Sequence, residues 1–542
     1  MYAPADNEEV KLTLVAKSST AGPNSPLSSK ATESSFDPVK ETFRDVSKKK
    51  LIMSWWRVFW RIYKLQGFKN ALRVFPIVFM IIKTVRGFAR YHAAQFAKTA
   101  ELPNDHDCEE AALTNQEYEE YRLLGRWLCR KLHDLGPTFI KIGQTFSTRA
   151  DLLPLPAMLE LAVLQEQVAP FPTPIAREVI ERELGGAPEN LYASFNDVPI
   201  AAASLSQAYR AVLHDGREVV VKVQRPDLAQ LIARDVQILG AVADEVMTYP
   251  SMCRHTDWPS IVEEFAHTIF DEIDYIREGR NADTFRHNFR NFNQICIPRI
   301  IWRLTGRRVL TIEYIEGVRV TDLAALREQN LEPEEVTRIG ANFYLRQLLE
   351  DGFFHADPHP GNMRVMADGR IGIFDFGMVG RISGELKQHL VNAFMHVIQH
   401  EYRLLIDDFI GMGFLNASVD KEALYADLAP VVEARFAEGM TKVRFRKMLF
   451  DFSDVVYKYP FKLPTEFTFV MRALLTLEGV ALTINPDFNF IDAALPFAHR
   501  IILKNNGVLG QALLKEVFQD GRFNPQAALN LFKAAAKLTV HR

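Results

Sequence analysis

Three polar residues in the second half of the chain have the types and the spacing that phosphoryl transfer requires. Asp357 is followed five residues later by Asn362, and a second aspartate, Asp375, comes after a short intervening segment. An enzyme that moves a phosphoryl group chiefly needs a carboxylate to orient the attacking hydroxyl and oxygen ligands to hold Mg²⁺ against the phosphates. Asp357 fits the first role, and Asn362 and Asp375 fit the second as metal ligands.

The segment between Asn362 and Asp375 predicts a β-hairpin. Residues 363–366 and 371–374 are strand-like and flank an Asp-Gly turn, and such a hairpin brings both ends of the motif to one edge. The resulting order matches the catalytic loop and the metal-binding Asp-Phe-Gly of protein kinases. The alternative is three unrelated turn residues, because Asp and Asn are common in loops. That alternative requires order, spacing and hairpin to coincide.

Two upstream segments could contact the phosphates of a nucleotide. Residues 219–223 are valines around a single lysine, Lys222, which predicts a strand whose lysine grips the α- and β-phosphates. An alanine-rich segment precedes it, and small side chains there would let backbone amides approach phosphate oxygens. The alternatives are an edge-strand lysine and an alanine run that forms a helix. The candidate nucleotide-binding residues of the loop are Ala201, Ala202, Ala203 and Ser204.

Three acidic residues follow on a predicted helix over residues 258–289. At 100° per residue, Asp274 and Glu278 share a face while Glu272 points elsewhere, so the three acids can serve different partners. The alternative, a solvated acidic helix face, predicts no matching lysine. Residues 297–302 and 309–314 then predict a pair of strands.

Length and composition are those of an ordinary globular protein. The 542 residues are 48% hydrophobic and 24% charged, which suits several folded domains. A formal net charge of −3 predicts no nucleic-acid partner. The four cysteines show no paired spacing, which predicts a reducing compartment. The N-terminal segment lacks the apolar core of a signal peptide.

The N-terminal hundred residues differ in character from the rest. Residues 1–46 are rich in polar and charged residues, which predicts a disordered tail. Residues 51–91 combine aromatic and basic residues without an acidic one, which favours helices lying in the interface of an anionic membrane, peripheral and on its cytoplasmic side. Their longest uncharged apolar run is only about half the ~20 residues that a spanning helix needs. The alternatives are a helix packed on the protein's own surface with a solvated basic face and, less favoured, a nucleic-acid site.

A motif ahead of these elements identifies a family. The motif Lys141-Ile142-Gly143-Gln144, with Ser147-Thr148-Arg149 and residues 164–168 (Leu-Gln-Glu-Gln-Val), closely resembles the signature extension of the UbiB family, also called AarF-domain atypical kinases. Arg472-Ala473-Leu474 and Glu478-Gly479 resemble the family too. The resemblance covers roughly residues 115–490.

The resemblance implies an α+β, two-lobed protein-kinase-like fold with a small, mostly β lobe, a large helical lobe and a helical N-terminal extension. The expected segments are a disordered tail (1–46), basic membrane-interface helices (47–100), the family extension (101–198), the N-lobe (199–316), the C-lobe (317–500) and C-terminal helices (501–542).

The resemblance also implies roles for individual residues, with ATP and Mg²⁺ as cofactors. Glu278 would pair with Lys222, whereas Glu272 and Asp274 would face the nucleotide pocket and Lys141. The expected catalytic residues are Asp357, Lys222, Glu278 and Lys141.

Two further positions of the nucleotide site follow from the same resemblance. The hinge that would bind adenine lies around Glu313 and Ile315. Ser206 stands where the family carries a glycine in its alanine-rich loop, so the phosphate contacts of this loop are expected to differ in detail.

The implied function is an ATP-binding kinase or ATPase linked to prenylquinone biosynthesis, with a quinone precursor or a quinone-biosynthesis enzyme as partner. One alternative is a small-molecule phosphotransferase of the aminoglycoside or choline kinase type, which would lack the extension. Another is a non-catalytic membrane scaffold that nucleotide binding switches. The presence of every expected polar residue favours transfer.

Overall fold

A computed structural model describes most of the chain. It covers residues 48–100, 115–147, 153–162, 170–249, 257–398, 400–437 and 464–489, with single positions or pairs at 164, 455, 459, 461, 493–494, 497, 518–519 and 522–523. The predicted disordered tail lies outside the described residues, as do Thr148, Arg149 and residues 165–168 of the family motif.

The first part of the chain forms a helical layer. Its apolar stripes bury one continuous core, to which a later helix, Leu228–Val246, also contributes. None of the helices in the described part of the chain is long and apolar enough to cross a membrane. The helices are α1 (Lys48–Gln66), α2 (Phe68–Ala71), α3 (Val74–Ala100), α4 (Asn115–Leu135), α5 (Pro137–Phe146) and α6 (Leu155–Ala162).

An antiparallel sheet forms the small lobe. Its strand order is β1-β3-β4-β6, and β2 also pairs with β3. The valines at 219, 221 and 223 are fully buried on one face, so the two-residue period of a strand directs Lys222 to the opposite face. The strands are β1 (Ser194–Phe195), β2 (Ala201–Ala202), β3 (Ser206–Val212), β4 (Glu218–Gln224) and β6 (Val309–Glu313).

Helices precede this sheet in the chain and also follow its strand β4. A pair of helices that precedes the sheet packs against the buried valine face. The helices are α7 (Thr173–Leu184), α8 (Pro188–Leu191), α9 (Leu228–Val246), α10 (Trp258–Glu272) and α11 (Tyr275–Asn288).

The single helix predicted over residues 258–289 is wrong, because the structure has two. The first ends at Glu272, and the Asp274 carboxylate accepts hydrogen bonds from the backbone N–H of Ile276 (3.0 Å) and Arg277 (3.3 Å). Asp274 is therefore the N-cap of a new helix, and the shared face inferred for it and Glu278 does not exist. The sequence signal for this break was Asp274 itself, because aspartate is favoured at helix N-caps.

The predicted strand over residues 297–302 is also wrong in large part. Its one β-bridge joins Ile300 to Ile312, and its end forms a 3₁₀ turn, Trp302–Leu304. The preceding strand β5 (Ile295–Cys296) instead pairs in parallel with the strand Ile371–Ile373 of the following lobe.

The large lobe contains the predicted hairpin, which is confirmed. Strand β9 (Met363–Val365) pairs antiparallel with β10 (Ile371–Ile373), and Gly369 takes the positive φ of 81° that the Asp-Gly turn requires. The remaining elements are β7 (Val318–Arg319), α12 (Leu323–Glu328), α13 (Pro333–Arg346), β8 (Phe353–His355), β11 (Val379–Arg381), α14 (Gly384–Ile398), α15 (Tyr402–Gly411), α16 (Lys421–Ala437) and α17 (Thr465–Ile484).

The C-terminal residues that the structure describes differ from the predicted helices of 501–542. Phe518–Gln519 (β12) and Arg522–Phe523 (β13) pair antiparallel. The Asp-Gly dipeptide between them in the sequence is a strong hairpin signal, and it outweighs the helical pattern around it.

The buried carboxylate of Asp235 on α9 is held by an arginine from the helical layer. Arg73 Nε lies 2.6 Å from Asp235 Oδ1, and the aspartate side chain is fully buried. Removing one partner of a buried ion pair leaves an uncompensated charge. We expect Arg73→Met to lower the free energy of unfolding by about 3–5 kcal/mol, measured by urea denaturation.

The matched control is Arg61→Met, because Arg61 and Asp244 form an ion pair (2.7 Å) in which both side chains are about half exposed. This variant should cost less than about 1 kcal/mol. Equal losses in the two variants would contradict the importance of burial at Asp235.

Candidate active site

The centre of the candidate site is a lysine held between two acids. Strand β4 directs Lys222 toward α11, where its Nζ lies 2.6 Å from Glu278 Oε1 and 3.1 Å from Asp375 Oδ2. Glu278 is buried in the first turn of α11. Three separate segments therefore converge on one ammonium group, and the pairing of Lys222 with Glu278 that the resemblance implied is present.

Burial and pairing shift the pKa values of these three groups. Burial alone would lower the pKa of Lys222, but the Asp375 and Glu278 carboxylates raise it well above its ordinary value. Burial raises the pKa of Glu278 to about 7, although Lys222 opposes the shift. Burial would also raise the pKa of Asp375, but Lys222 and the Gly377 N–H hold it well below its ordinary value. The lysine and Asp375 are thus charged at neutral pH.

His355 connects the two aspartates of the motif. Its Nδ1 accepts a hydrogen bond from the Asp357 backbone N–H (3.0 Å), and its Nε2 lies 2.6 Å from the Asp375 carbonyl oxygen. Because Nδ1 accepts, the proton must sit on Nε2, which donates to that carbonyl. Burial lowers the pKa of His355 and so favours this neutral form. The sequence analysis gave His355 no role.

Asp357 is held by an arginine from a distant helix. Arg472 of α17 places Nη2 3.1 Å from Asp357 Oδ2. Asp357 Oδ1 and Arg472 Nε are both buried without a hydrogen-bond partner among the described residues. Burial alone would raise the pKa of Asp357, but Arg472 and Lys141 hold it below its ordinary value. Asp357 is therefore an ionised carboxylate with one uncommitted oxygen.

Asn362 lies in a 3₁₀ turn between the two aspartates. This turn, Pro360–Asn362, leads directly into β9, and the Asn362 carbonyl accepts a hydrogen bond from the Phe374 N–H (3.3 Å), one residue before Asp375. Within the described ranges no group of three His, Cys, Asp or Glu side chains could hold a metal. Asn362 and Asp375 supply amide and carboxylate oxygens, the donor type that Mg²⁺ prefers.

The Lys141 motif of the family extension also contacts the candidate active site. Lys141 on α5 forms an ion pair with Glu272 at the end of α10, and the Glu272 side chain lies against Gly377 beside Asp375. Gly143 permits close helix packing, because a Cβ there would lie 2.4 Å from a methyl carbon of Leu164. The implied contact between Lys141 and Glu272 is present, whereas Asp274 is occupied by capping α11.

The alanine-rich loop is a hairpin turn beside the lysine. Ala201 and Ala202 pair with β3, and the Ala203 carbonyl accepts a hydrogen bond from Arg225. Ser206, in place of the expected glycine, is buried at the start of β3, where it pairs with Gln224 of β4. Ser204 next to it is buried.

Tyr275 is a site residue that the sequence analysis missed. The Lys222 Nζ lies 5.5 Å from the centre of its ring, and burial raises its pKa. Its position directly after the capping residue Asp274 was the available signal.

The predicted hinge follows strand β6. Glu313 accepts a hydrogen bond from the Arg299 N–H (3.1 Å) and lies 3.7 Å from Arg217. Ile315 packs against Gly372 of β10. The Glu313 side chain is thus occupied by contacts with Arg299 and Arg217. Only the backbone of this segment is left to bind a nucleotide.

Comparison with known proteins identifies the family. The model of the ABC1 atypical kinase-like domain matches residues 163–408, and that of the UbiB helical domain matches residues 428–489. An uncharacterized Synechocystis protein, slr1919, is 38% identical over 405 residues, which cover 74% of this chain and 72% of that protein. The chain belongs to the ABC1/UbiB family of atypical kinases.

Other members of the family are similar over the same part of the chain. Synechocystis sll1770 is 41% identical over 71% of this chain and 66% of its own length. ACTIVITY OF BC1 COMPLEX KINASE 1, a chloroplastic protein of Arabidopsis thaliana, is 36% identical over 78% of this chain and 62% of its own length. The aligned part thus spans roughly two thirds of each of these two relatives.

One solved structure is similar to part of this chain. The complex of Rv3197 with erythromycin from Mycobacterium tuberculosis is 24% identical, covers 63% of this chain and 87% of that chain, and aligns with a TM-score of 0.46.

The raised pKa of Glu278 predicts a pH dependence of stability. The pKa of Glu278 in the folded protein, about 7, lies above its ordinary value of 4.5. In the window between these two pH values, the folded protein therefore holds a proton that the unfolded chain releases. Stability therefore falls as pH rises through the window. Relative to Glu278→Gln, the wild type should lose on the order of 2–3 kcal/mol of unfolding free energy between these two pH values.

Urea denaturation of both proteins at several pH values measures this difference. Glu328→Gln, at an exposed position on α12, controls for the general loss of a carboxylate. Parallel stability curves for wild type and Glu278→Gln would contradict the assignment.

Proposed function

We propose that this chain is an ATP- and Mg²⁺-dependent phosphoryl-transfer enzyme. The observation that supports it most directly is the convergence of Lys222, Glu278 and Asp375, with Asp357 linked to Asp375 through His355. A buried cation shared by two carboxylates is costly to maintain for structure alone. A positive group beside a metal-binding carboxylate is what phosphate binding needs.

Asp357 is the residue that would receive the attacking hydroxyl. Its ionised carboxylate has one oxygen bound to Arg472 and one, Oδ1, without a partner in the described chain. A substrate hydroxyl or a water that reaches this partly exposed carboxylate can donate a hydrogen bond to it and be oriented by it.

Asp375 and Asn362 would hold Mg²⁺. A bound Mg²⁺ would supply positive charge against the negative charge that develops on the transferred phosphoryl group. Asp375 already carries a negative charge stabilised by Lys222 and the Gly377 N–H, so no proton has to leave before the metal binds. The alanine-rich loop of residues 201–204 and the backbone at Ile315 would contact the nucleotide.

We propose that the acceptor is small, either water or a lipid-like molecule such as a prenylquinone precursor. The supporting contact is the ion pair of Lys141 with Glu272, which brings the family extension next to Asp375 and Gly377 and leaves less room for a folded protein substrate. The link to prenylquinone metabolism rests on the family resemblance of residues 141–144.

The decisive experiment is ATP turnover by the purified chain with Mg²⁺, with and without a quinone-precursor phenol. Asp357→Asn should retain nucleotide binding but lose turnover by at least about 100-fold, because it lacks the carboxylate that orients the acceptor. Asp375→Asn should lose Mg²⁺-dependent binding, measured by calorimetry. Nucleotide binding without turnover in the wild type would contradict the enzyme proposal and favour a nucleotide-switched scaffold.

Arg472 should act as a positioning residue for Asp357. Without its charge, burial dominates and the pKa of Asp357 rises, so the acid limb of the pH–rate profile in Arg472→Met should move upward by roughly 1–3 pH units. Arg472→Lys keeps the charge and should restore most of the profile. A lower rate with an unshifted acid limb in Arg472→Met would indicate a purely structural role.

A further inference from the structure

Helix α1 exposes a stripe of aromatic side chains. Trp56, Trp60 and Tyr63 are separated by four and three residues and so share one helical face. The stripe continues over the following helices to Phe68 and Phe79, and all five side chains are between 40% and 60% exposed. Tryptophan and tyrosine with both an apolar body and a polar tip are typical of a membrane–water interface.

The arginines of α1 do not share this face. Arg57 and Arg61, each one position further along the chain than a tryptophan of the stripe, form ion pairs with Glu245 and Asp244 of α9. The sequence analysis expected basic residues to meet lipid, or to lie in solvent if the helix packed on the protein. The helix does pack on the protein, but its arginines face α9 and its aromatic residues face outward.

Lysines surround the stripe. Lys64, Lys69 and Lys83 are exposed, and no ion pair joins them to any residue that the structure describes. Lys83 lies 4.0 Å from the centre of the Trp127 ring. An aromatic face with free positive charge at its edge complements an anionic lipid surface. In a two-fold dimer through this face the lysine rims of the two copies would oppose each other.

An open groove with a volume of about 450 Å³ lies at the end of the stripe where Phe79 projects. Its lining is mostly apolar, with two cationic side chains. Such a space suits an acyl chain below a negatively charged headgroup. The lining residues are Phe79, Ile82, Lys83, Arg86, Gly87 and Leu124.

We propose that the outer face of α1–α3 docks onto an anionic phospholipid bilayer through its aromatic stripe, with the lysines at its edge near the lipid phosphates. Arg57 and Arg61, which pair with acids of α9, do not contact lipid. This surface is separate from the phosphoryl-transfer site, and its test needs no activity.

The test is co-sedimentation of the full chain with vesicles of phosphatidylcholine containing phosphatidylglycerol. Replacing the three α1 aromatics (Trp56→Ser, Trp60→Ser, Tyr63→Ser) should weaken partitioning by at least about ten-fold, because each contributes apolar area. Leu404→Ser, an equally exposed apolar position on α15, should leave it unchanged. The double variant Arg57→Gln, Arg61→Gln should also bind within about two-fold, since exposed ion pairs contribute little.

A second measurement does not depend on the variants. Vesicles with brominated acyl chains should quench the tryptophan fluorescence of the wild-type chain. Undiminished binding of the triple variant, or loss of binding in the arginine variant, would overturn the proposal. A wild-type dimer that the triple variant converts to a monomer, without vesicle binding by either, would assign the face to a second copy.

Discussion

The site depends on the two ion pairs that the ammonium group of Lys222 forms with Glu278 and Asp375. An unpaired lysine at this depth would lose its proton or pull water inward, so the carboxylates of Glu278 and Asp375 must both be in place. One acid comes from a helix of the small lobe and the other from the loop after the β9–β10 hairpin. The charge therefore fixes the relative positions of the two lobes at this point.

The helical domain at the end of the family match belongs to the site. Arg472 of α17 contacts Asp357, while His355 transmits the position of Asp357 to the backbone of Asp375. These contacts are at least partly buried, so water replaces them less readily than it would at the surface. A kinase-like core without α17 would deprive Asp357 of the positive charge that lowers its pKa most.

The positions of the charged residues in the helical layer cannot be read from its composition. The arginines at 57, 61 and 73 all meet acids of α9, which leaves aromatic residues on the outer face. The same helix α9 packs against α10, which carries Glu272 to Lys141. The outer face of α1–α3 and the Lys141 motif are therefore both held by the packed helices α9 and α10.

The sequence alone determined the elements whose signals are local. The spacing of Asp357, Asn362 and Asp375 and the Asp-Gly turn predicted the hairpin and the kinase-like order, because turn chemistry and strand period act over a few residues. The lysine of β4 was found in the same way. Tertiary structure decided the rest. A capping contact broke the helix at Asp274, and Arg472 became part of the site because packing joined residues more than a hundred positions apart. Periodicity shows which residues share a face, but only packing shows what that face meets.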